Sequence, residues 1–108
     1  MTTLTEARQQ GDLFAKRAFR KASNADPTFG DRARAFIVAH LKEHGPTSGE
    51  ILTNCCKRAG ITAADDRAFG AVYAKLIRDR QVTILRADLP RFRGHGAIGA
   101  KLYGLMNP

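Results

Sequence analysis

Apolar residues recur with helical periodicity in four segments of the chain before the pattern changes near residue 81. The fourth segment, residues 65–80, is the most regular. Its apolar residues follow at i, i+3, i+4, i+7 and i+8: Phe69, Val72, Tyr73, Leu76 and Ile77. This spacing covers one face of a helix, so the segment is predicted to bury one side and expose the other.

The first two segments are also predicted to be helices. The first spans residues 4–24 and has a narrow stripe of small and apolar residues: Leu4, Ala7, Gly11, Phe14 and Ala18. Its opposite side is cationic. The second spans residues 31–44, and Gly45 with Pro46 ends it. Its shared apolar face consists of Ala33, Phe36, Ile37 and Leu41.

The third segment follows a predicted capping box, Thr47 and Glu50, and ends at Gly60. Its apolar residues are Ile51, Leu52, Cys55 and Ala59. The turn to the fourth helix is short and contains Gly60, as a helix-turn-helix requires.

Two short segments after the helices have the composition of strands. Residues 81–86 are rich in β-branched side chains, and residues 100–105 form a second apolar run. We expect a bulge or bend near Gly104, because Leu102, Tyr103 and Leu105 cannot all face inward from a flat strand. A loop with several glycines lies between the strands.

This order of elements predicts the fold class. The chain is expected to be mainly α with a small β-hairpin, a winged helix-turn-helix with an extra N-terminal helix. Residues 1–26 would form the N-terminal amphipathic helix, and residues 27–108 the winged helix-turn-helix domain. At 108 residues, one compact core is the default.

The charge of the chain points to a polyanionic partner. Lysine and arginine number 18 against 10 acidic residues, a formal net charge of +8. Such an excess favours DNA, RNA or an acidic protein surface. In a helix-turn-helix the second helix enters the major groove of DNA, which assigns that role to residues 65–80.

The exposed face predicted for this recognition helix combines small and cationic residues: Arg67, Gly70, Ala71, Ala74, Lys75 and Arg78. Small side chains let the helix backbone approach a groove floor, while the cations reach phosphates or base edges. Arg67 and Lys75 are the leading candidates for such contacts. The prediction depends on this face remaining uncovered, and an ordinary solvated helix face is the alternative.

The loop between the strands is predicted to be the wing. Its cations and histidine would contact the DNA backbone or minor groove: Arg86, Arg91, Arg93, His95 and Lys101. The same stretch resembles a phosphate-binding loop, but Ala100 and Lys101 stand where that pattern needs Lys and Ser or Thr. Nucleotide binding is therefore not expected.

No motif in the sequence indicates catalysis, a metal or a cofactor. Ser23 and Ser48 have no recognisable base partner. His40 and His44 share a helix face but have no further ligand at zinc spacing. Cys55 and Cys56 are adjacent, which disfavours a disulfide between them, and we expect both to be small, half-buried residues.

Residues 11–82 and the basic tail resemble small proteins encoded by bacteriophages and prophages. The resemblance covers an amphipathic first helix, a helix beginning "DRA", the segment "DDRAFGAVYAKLIRDRQV" and the tail "RGHGAIGAKLYGL". Its most specific part is residues 66–70 together with the wing. The resemblance implies a winged-helix DNA binder used in phage replication or regulation. Such proteins commonly carry a tryptophan near the end, where this chain has Leu102 and Tyr103.

These observations predict a non-catalytic protein that binds double-stranded DNA and has a regulatory or replication-accessory role. The alternative is a phage inhibitor that binds a host protein, such as a defence nuclease or polymerase, through its basic surface. RNA binding is weaker, because the chain lacks paired aromatic residues for stacking bases. The stripe of the N-terminal helix is expected to pack against the core of its own chain. The alternatives are that this helix pairs two copies as a homodimer, or that its cationic face lies along DNA as an arm. No membrane association is expected, and the bacterial host cytoplasm is the expected location.

Overall fold

The computed structural model describes residues 4–89 and 100–106. Four helices and three strands follow one another: α1 (Leu4–Ala25), α2 (Phe29–His44), β1 (Thr47–Ser48), α3 (Gly49–Arg58), α4 (Ala68–Arg78), β2 (Val82–Leu89) and β3 (Ala100–Leu105). Arg91, Arg93 and His95, the predicted wing residues, lie outside the described residues.

The strands form one antiparallel sheet in the order β1-β3-β2. Tyr103 of β3 pairs with Thr47 of β1 on one side and with Ile84 of β2 on the other. A short strand after the first helix of the domain, two further helices and a closing hairpin make a winged helix-turn-helix. The predicted fold class is therefore confirmed, with α1 as the extra helix.

The core lies between α2, α3, α4 and the sheet. Of the eight largest fully buried side chains among the described residues, α4 supplies three, Phe69, Val72 and Leu76. Phe69 is 1% exposed and Leu76 is fully buried, as the stripe predicts. The ring of Phe69 meets that of Phe29 edge-on, with centroids 5.3 Å apart. Phe29 is thus the link between the first turn of α2 and the centre of the core.

The second half of α1 packs into this same core. Ala18 and Ala22 are buried, and Phe19 contacts Phe29 with ring centroids 6.0 Å apart. Phe14, predicted to lie in the buried stripe, is 43% exposed, so that part of the stripe is wrong. The face of α1 that packs runs through Ala18, Phe19 and Ala22, and the Cβ of Ala15 lies next to Gly70 of α4.

Three local predictions are corrected by the structure. Ser48, not Thr47, caps α3: its hydroxyl accepts from the backbone N–H of Ile51 at 3.3 Å. Thr47 instead belongs to β1, a strand too short to recognise from sequence. In α3 the fully buried residues are Leu52 and Cys56, while Cys55 is half-buried and Ile51 is 38% exposed.

The irregularity expected near Gly104 is present, but the extra residue lies on the partner strand, β2. The pairing register shifts between Ile84 and Arg86 and again before Leu89. A Cβ placed on Gly104 would lie 2.8 Å from Cδ1 of Leu85, so the glycine leaves room for that side chain. The strand that carries the glycine stays regular, and its partner bends over it.

Tyr73 and Tyr103 connect α4 to β3 of the sheet. Their rings stack at 4.5 Å, and the Tyr73 hydroxyl donates to the backbone carbonyl of Gly49 at 3.1 Å. The Thr53 hydroxyl is a further partner of that hydroxyl, at 2.8 Å. Burial raises the pKa of Tyr103 to about 12 and raises the pKa of Tyr73 further.

We expect the protein to lose stability in alkaline solution. Burial also raises the pKa of the Cys56 thiol to about 12 from an ordinary value of 9.0. As pH rises, these three side chains lose their protons at lower pH in the unfolded chain than in the folded protein. Their contribution to stability is therefore complete below about pH 9 and falls as pH rises towards 12. Each group lowers the free energy of unfolding by about 1.4 kcal/mol per pH unit above its ordinary pKa, which is 9.0 for Cys56 and 10.0 for the two tyrosines. Urea unfolding at a series of pH values between 7 and 11 measures this.

The variant Cys56→Ala serves as the control for that series, because it should remove the decline between about pH 9 and 10 and keep the steeper decline above it. Equal stability at about pH 8 and 11 would contradict the burial of all three groups.

Within the described part of the chain, no helix is long and apolar enough to cross a membrane.

Candidate nucleic-acid interface

The predicted recognition helix begins at Ala68 and not at Asp65. Asp65 lies just before the helix, and its carboxylate accepts a hydrogen bond from the backbone N–H of Arg67 at 2.9 Å. Four of the predicted contact residues are exposed along α4: Gly70, Ala74, Lys75 and Arg78. Ala71 is partly exposed.

The N-terminal end of this face is crossed by α1, which the sequence did not predict. A Cβ on Gly70 would lie 3.3 Å from the Cβ of Ala15. One turn earlier, the guanidinium carbon of Arg67 lies 5.0 Å from the centroid of the Phe14 ring. Helix α1 therefore contacts the face at Arg67 and Gly70, both of which stay exposed, and leaves its C-terminal part free of such contacts.

Arg67 is held by its own neighbours. Its guanidinium makes an ion pair with Asp65 at 2.6 Å and lies over the ring of Phe14. Hydrogen bonds from the side chain and backbone N–H of Arg67 lower the pKa of Asp65 below its ordinary value. A contact between Arg67 and DNA would compete with both interactions, so its predicted role as a leading contact loses support.

A groove of about 540 Å³ separates α1 from the C-terminal part of α4, and we call it the α1–α4 groove. Its floor is apolar and made of small residues with one aromatic ring: Ala15, Phe19, Gly70, Ala71 and Ala74. Five of the six predicted residues of the recognition helix therefore border one depression, and Arg67 lies on the other side of α1.

Cations surround the groove: Lys16, Arg20, Arg34, Lys75 and Arg78. No acidic residue is among those that line it. Lys75 pairs with Asp79 at 3.3 Å, and Arg34 pairs with the exposed Asp31. Segment 13–25 and helix α4 together contain six cations and no acid. The groove is lined by four of them, Lys16, Arg20, Lys75 and Arg78, while Arg17 and Lys21 line the depression on the other side of α1, so positive charge lies on both sides of this helix.

The hairpin residues Arg86 and Lys101 are separate from this groove. Both are exposed, on β2 and β3 respectively, and neither lines the groove. The structure therefore divides the predicted site residues between two places, the α4 face and the hairpin.

Three cations that border the groove were not among the predicted contact residues, although the cationic side of the N-terminal helix was one alternative for contact with DNA. Lys16, Arg20 and Arg34 belong to α1 and α2, outside the predicted recognition helix. The acid-free run of segment 13–25 was a signal for the first two. Arg34 had no such signal, because its position depends on how α2 lies against α1.

No family model, curated protein or solved structure matches the chain. Among the described residues, no group of three or more His, Cys, Asp or Glu could hold a metal ion. The arrangement available to a ligand is thus a positively charged surface with a shallow apolar centre.

Proposed function

We propose that this protein is a non-catalytic winged-helix protein that binds double-stranded DNA and has a regulatory or replication-accessory role. We further propose that cations of α1 contact the DNA together with those of α4. One observation carries the proposal: six cations and no acid on segment 13–25 and α4, on a winged-helix scaffold. Phosphate contacts from such cations supply most of the affinity in non-specific DNA binding.

The crossing of α1 over α4 changes the expected mode of binding. The major groove is about 12 Å wide and admits a single helix, whose diameter with side chains is about 10–12 Å. Two helices in contact are too wide to enter side by side. The protein would therefore place the C-terminal part of α4 against the duplex, while Lys16 and Arg20 of α1 reach phosphates.

A salt titration tests this proposal. Binding of random-sequence duplex DNA should weaken steeply with salt, with a slope of log affinity against log salt of about −0.9 for each phosphate contact. Four to six contacts would give a slope of about −4 to −5. Fluorescence anisotropy at several salt concentrations measures this slope.

Single-stranded DNA and duplex RNA of the same length are the comparison ligands. Preference for duplex DNA supports the proposal. A protein with no affinity for any of them at about 50 mM salt would refute it.

A further inference from the structure

The α1–α4 groove has an apolar floor that contacts to DNA phosphates do not use. DNA phosphates need hydrogen-bond donors, but the groove floor offers side chains that have none, such as Phe19, Ala71 and Ala74. Donors are found at its borders, on residues such as Arg20 and Arg78. An apolar centre within a cationic border is complementary to a ligand that is apolar on one side and acidic on the other.

The length of the groove matches about two turns of a helix. The α4 wall runs from Gly70 to Arg78, about 12 Å at 1.5 Å per residue, and the α1 wall from Ala15 to Asn24 is of similar length. Small residues on both walls allow a third backbone to approach closely. A groove of this length accommodates about two turns of a helix, with apolar residues at i, i+3 or i+4, and i+7.

The borders select the charge of that helix. Lys16 and Arg20 are exposed on the α1 side, and Lys75 and Arg78 on the α4 side. Among the described residues that line the groove none is acidic, and the carboxylates nearby, Asp79 and Asp31, are already paired with Lys75 and Arg34. Lys16, Arg20 and Arg78 are the cations that favour a carboxylate over a lysine here. Both sides of a bound acidic helix would face cations.

We propose that the α1–α4 groove is a docking site for an acidic amphipathic helix of a partner protein. The apolar side of that helix packs on Phe19 and the small residues of the floor, and its glutamates or aspartates pair with the cationic borders. This inference goes beyond DNA binding and does not rest on it. Because the same cations would serve both ligands, the helix and a DNA duplex compete for this surface.

The test uses a fluorescent model peptide of about 14 residues, with leucines at helical spacing and glutamates elsewhere. It should bind in the micromolar range, and a duplex should displace it. A second peptide keeps the glutamates but has serine for each leucine, and a third has lysine for each glutamate. Both should bind at least about tenfold more weakly.

Two variants locate the site. Ala74→Trp fills the groove without changing the charge and should weaken peptide binding at least about tenfold. Ala39→Trp places the same side chain on an exposed position of α2 outside the groove and should leave binding unchanged. Thermal melting of both variants checks that each is folded.

Each result has a definite meaning. Leucine-dependent binding of the acidic peptide that is lost only in Ala74→Trp supports the docking site. Equal binding of the serine peptide, or unchanged binding to Ala74→Trp, overturns it, since the surface would then attract any polyanion. Duplex binding without peptide binding overturns this inference and leaves the proposed DNA function standing. Peptide binding without duplex binding supports the docking site and refutes the proposed DNA function.

Discussion

Replacement of Phe69 by alanine should lower the free energy of unfolding by about 3–5 kcal/mol. Phe69 is 1% exposed, and its ring meets Phe29, which in turn contacts Phe19 of α1. Removing the ring leaves a cavity that joins α1, α2 and α4. In a chain of this size the melting temperature should fall by on the order of 15 °C or more, measurable by circular dichroism.

Phe14→Ala is the matched control, since it removes the same ring from a position that is 43% exposed. That change should cost less than about 1 kcal/mol, mostly from the lost contact with Arg67. Equal destabilisation by the two substitutions would show that α1 and α4 do not pack as described.

Neutralising three cations around the groove should nearly abolish duplex binding. The variant combines Arg20→Ala, Lys75→Ala and Arg78→Ala, all of exposed residues that line the groove. At about 1 kcal/mol or more per charged contact, affinity should fall about 100-fold, and the salt slope should become shallower by up to about 2.7. Removing Lys75 also leaves Asp79 unpaired, which adds repulsion of phosphate.

A second triple variant separates this local effect from net charge. Lys42→Ala, Lys57→Ala and Arg58→Ala also remove three exposed cations, but from α2 and α3 outside the groove. Its affinity should fall by no more than about fivefold. Losses of the same size in both variants would mean that DNA is attracted by the overall charge and not by the α1–α4 surface.

The sequence was most informative where one element's own pattern decides the outcome. Four of the five residues of the predicted α4 stripe are buried, because Phe69, Val72, Tyr73 and Leu76 repeat with the period of a helix over more than two turns. The order of helices and strands then limited the topology to a winged helix. Neither step requires knowledge of a distant contact.

Phe29 shows where this reasoning stopped. It follows Pro27 in a stretch with turn composition, so the helix was expected to begin at Asp31. In the structure Asp26 accepts from the hydroxyl and the backbone N–H of Thr28. This short turn directs the chain into α2, which begins at Phe29 with that ring in the core. A buried aromatic residue at the start of a helix and an exposed one in a loop look alike in sequence. They differ in whether another part of the chain packs on the ring, as Phe69 does on Phe29.

The candidate site was predictable in composition but not in shape. The residues of the α4 face follow from their opposition to the buried stripe. The position of α1 across the N-terminal end of that face does not, since it depends on the fit of Ala15 to Gly70. A contact between two small residues leaves no periodic signal that distinguishes it from an exposed surface.

The sheet order has a consequence for synthesis of the chain. β3 is the middle strand, and both β1 and β2 pair with it and not with each other. On a translating ribosome, Thr47 and Val82 therefore emerge before β3, the strand with which both of them pair. Helices α2, α3 and α4 precede that strand, so they can assemble early, but the described strands β1 and β2 find their partner only when residues 100–105 have left the exit tunnel.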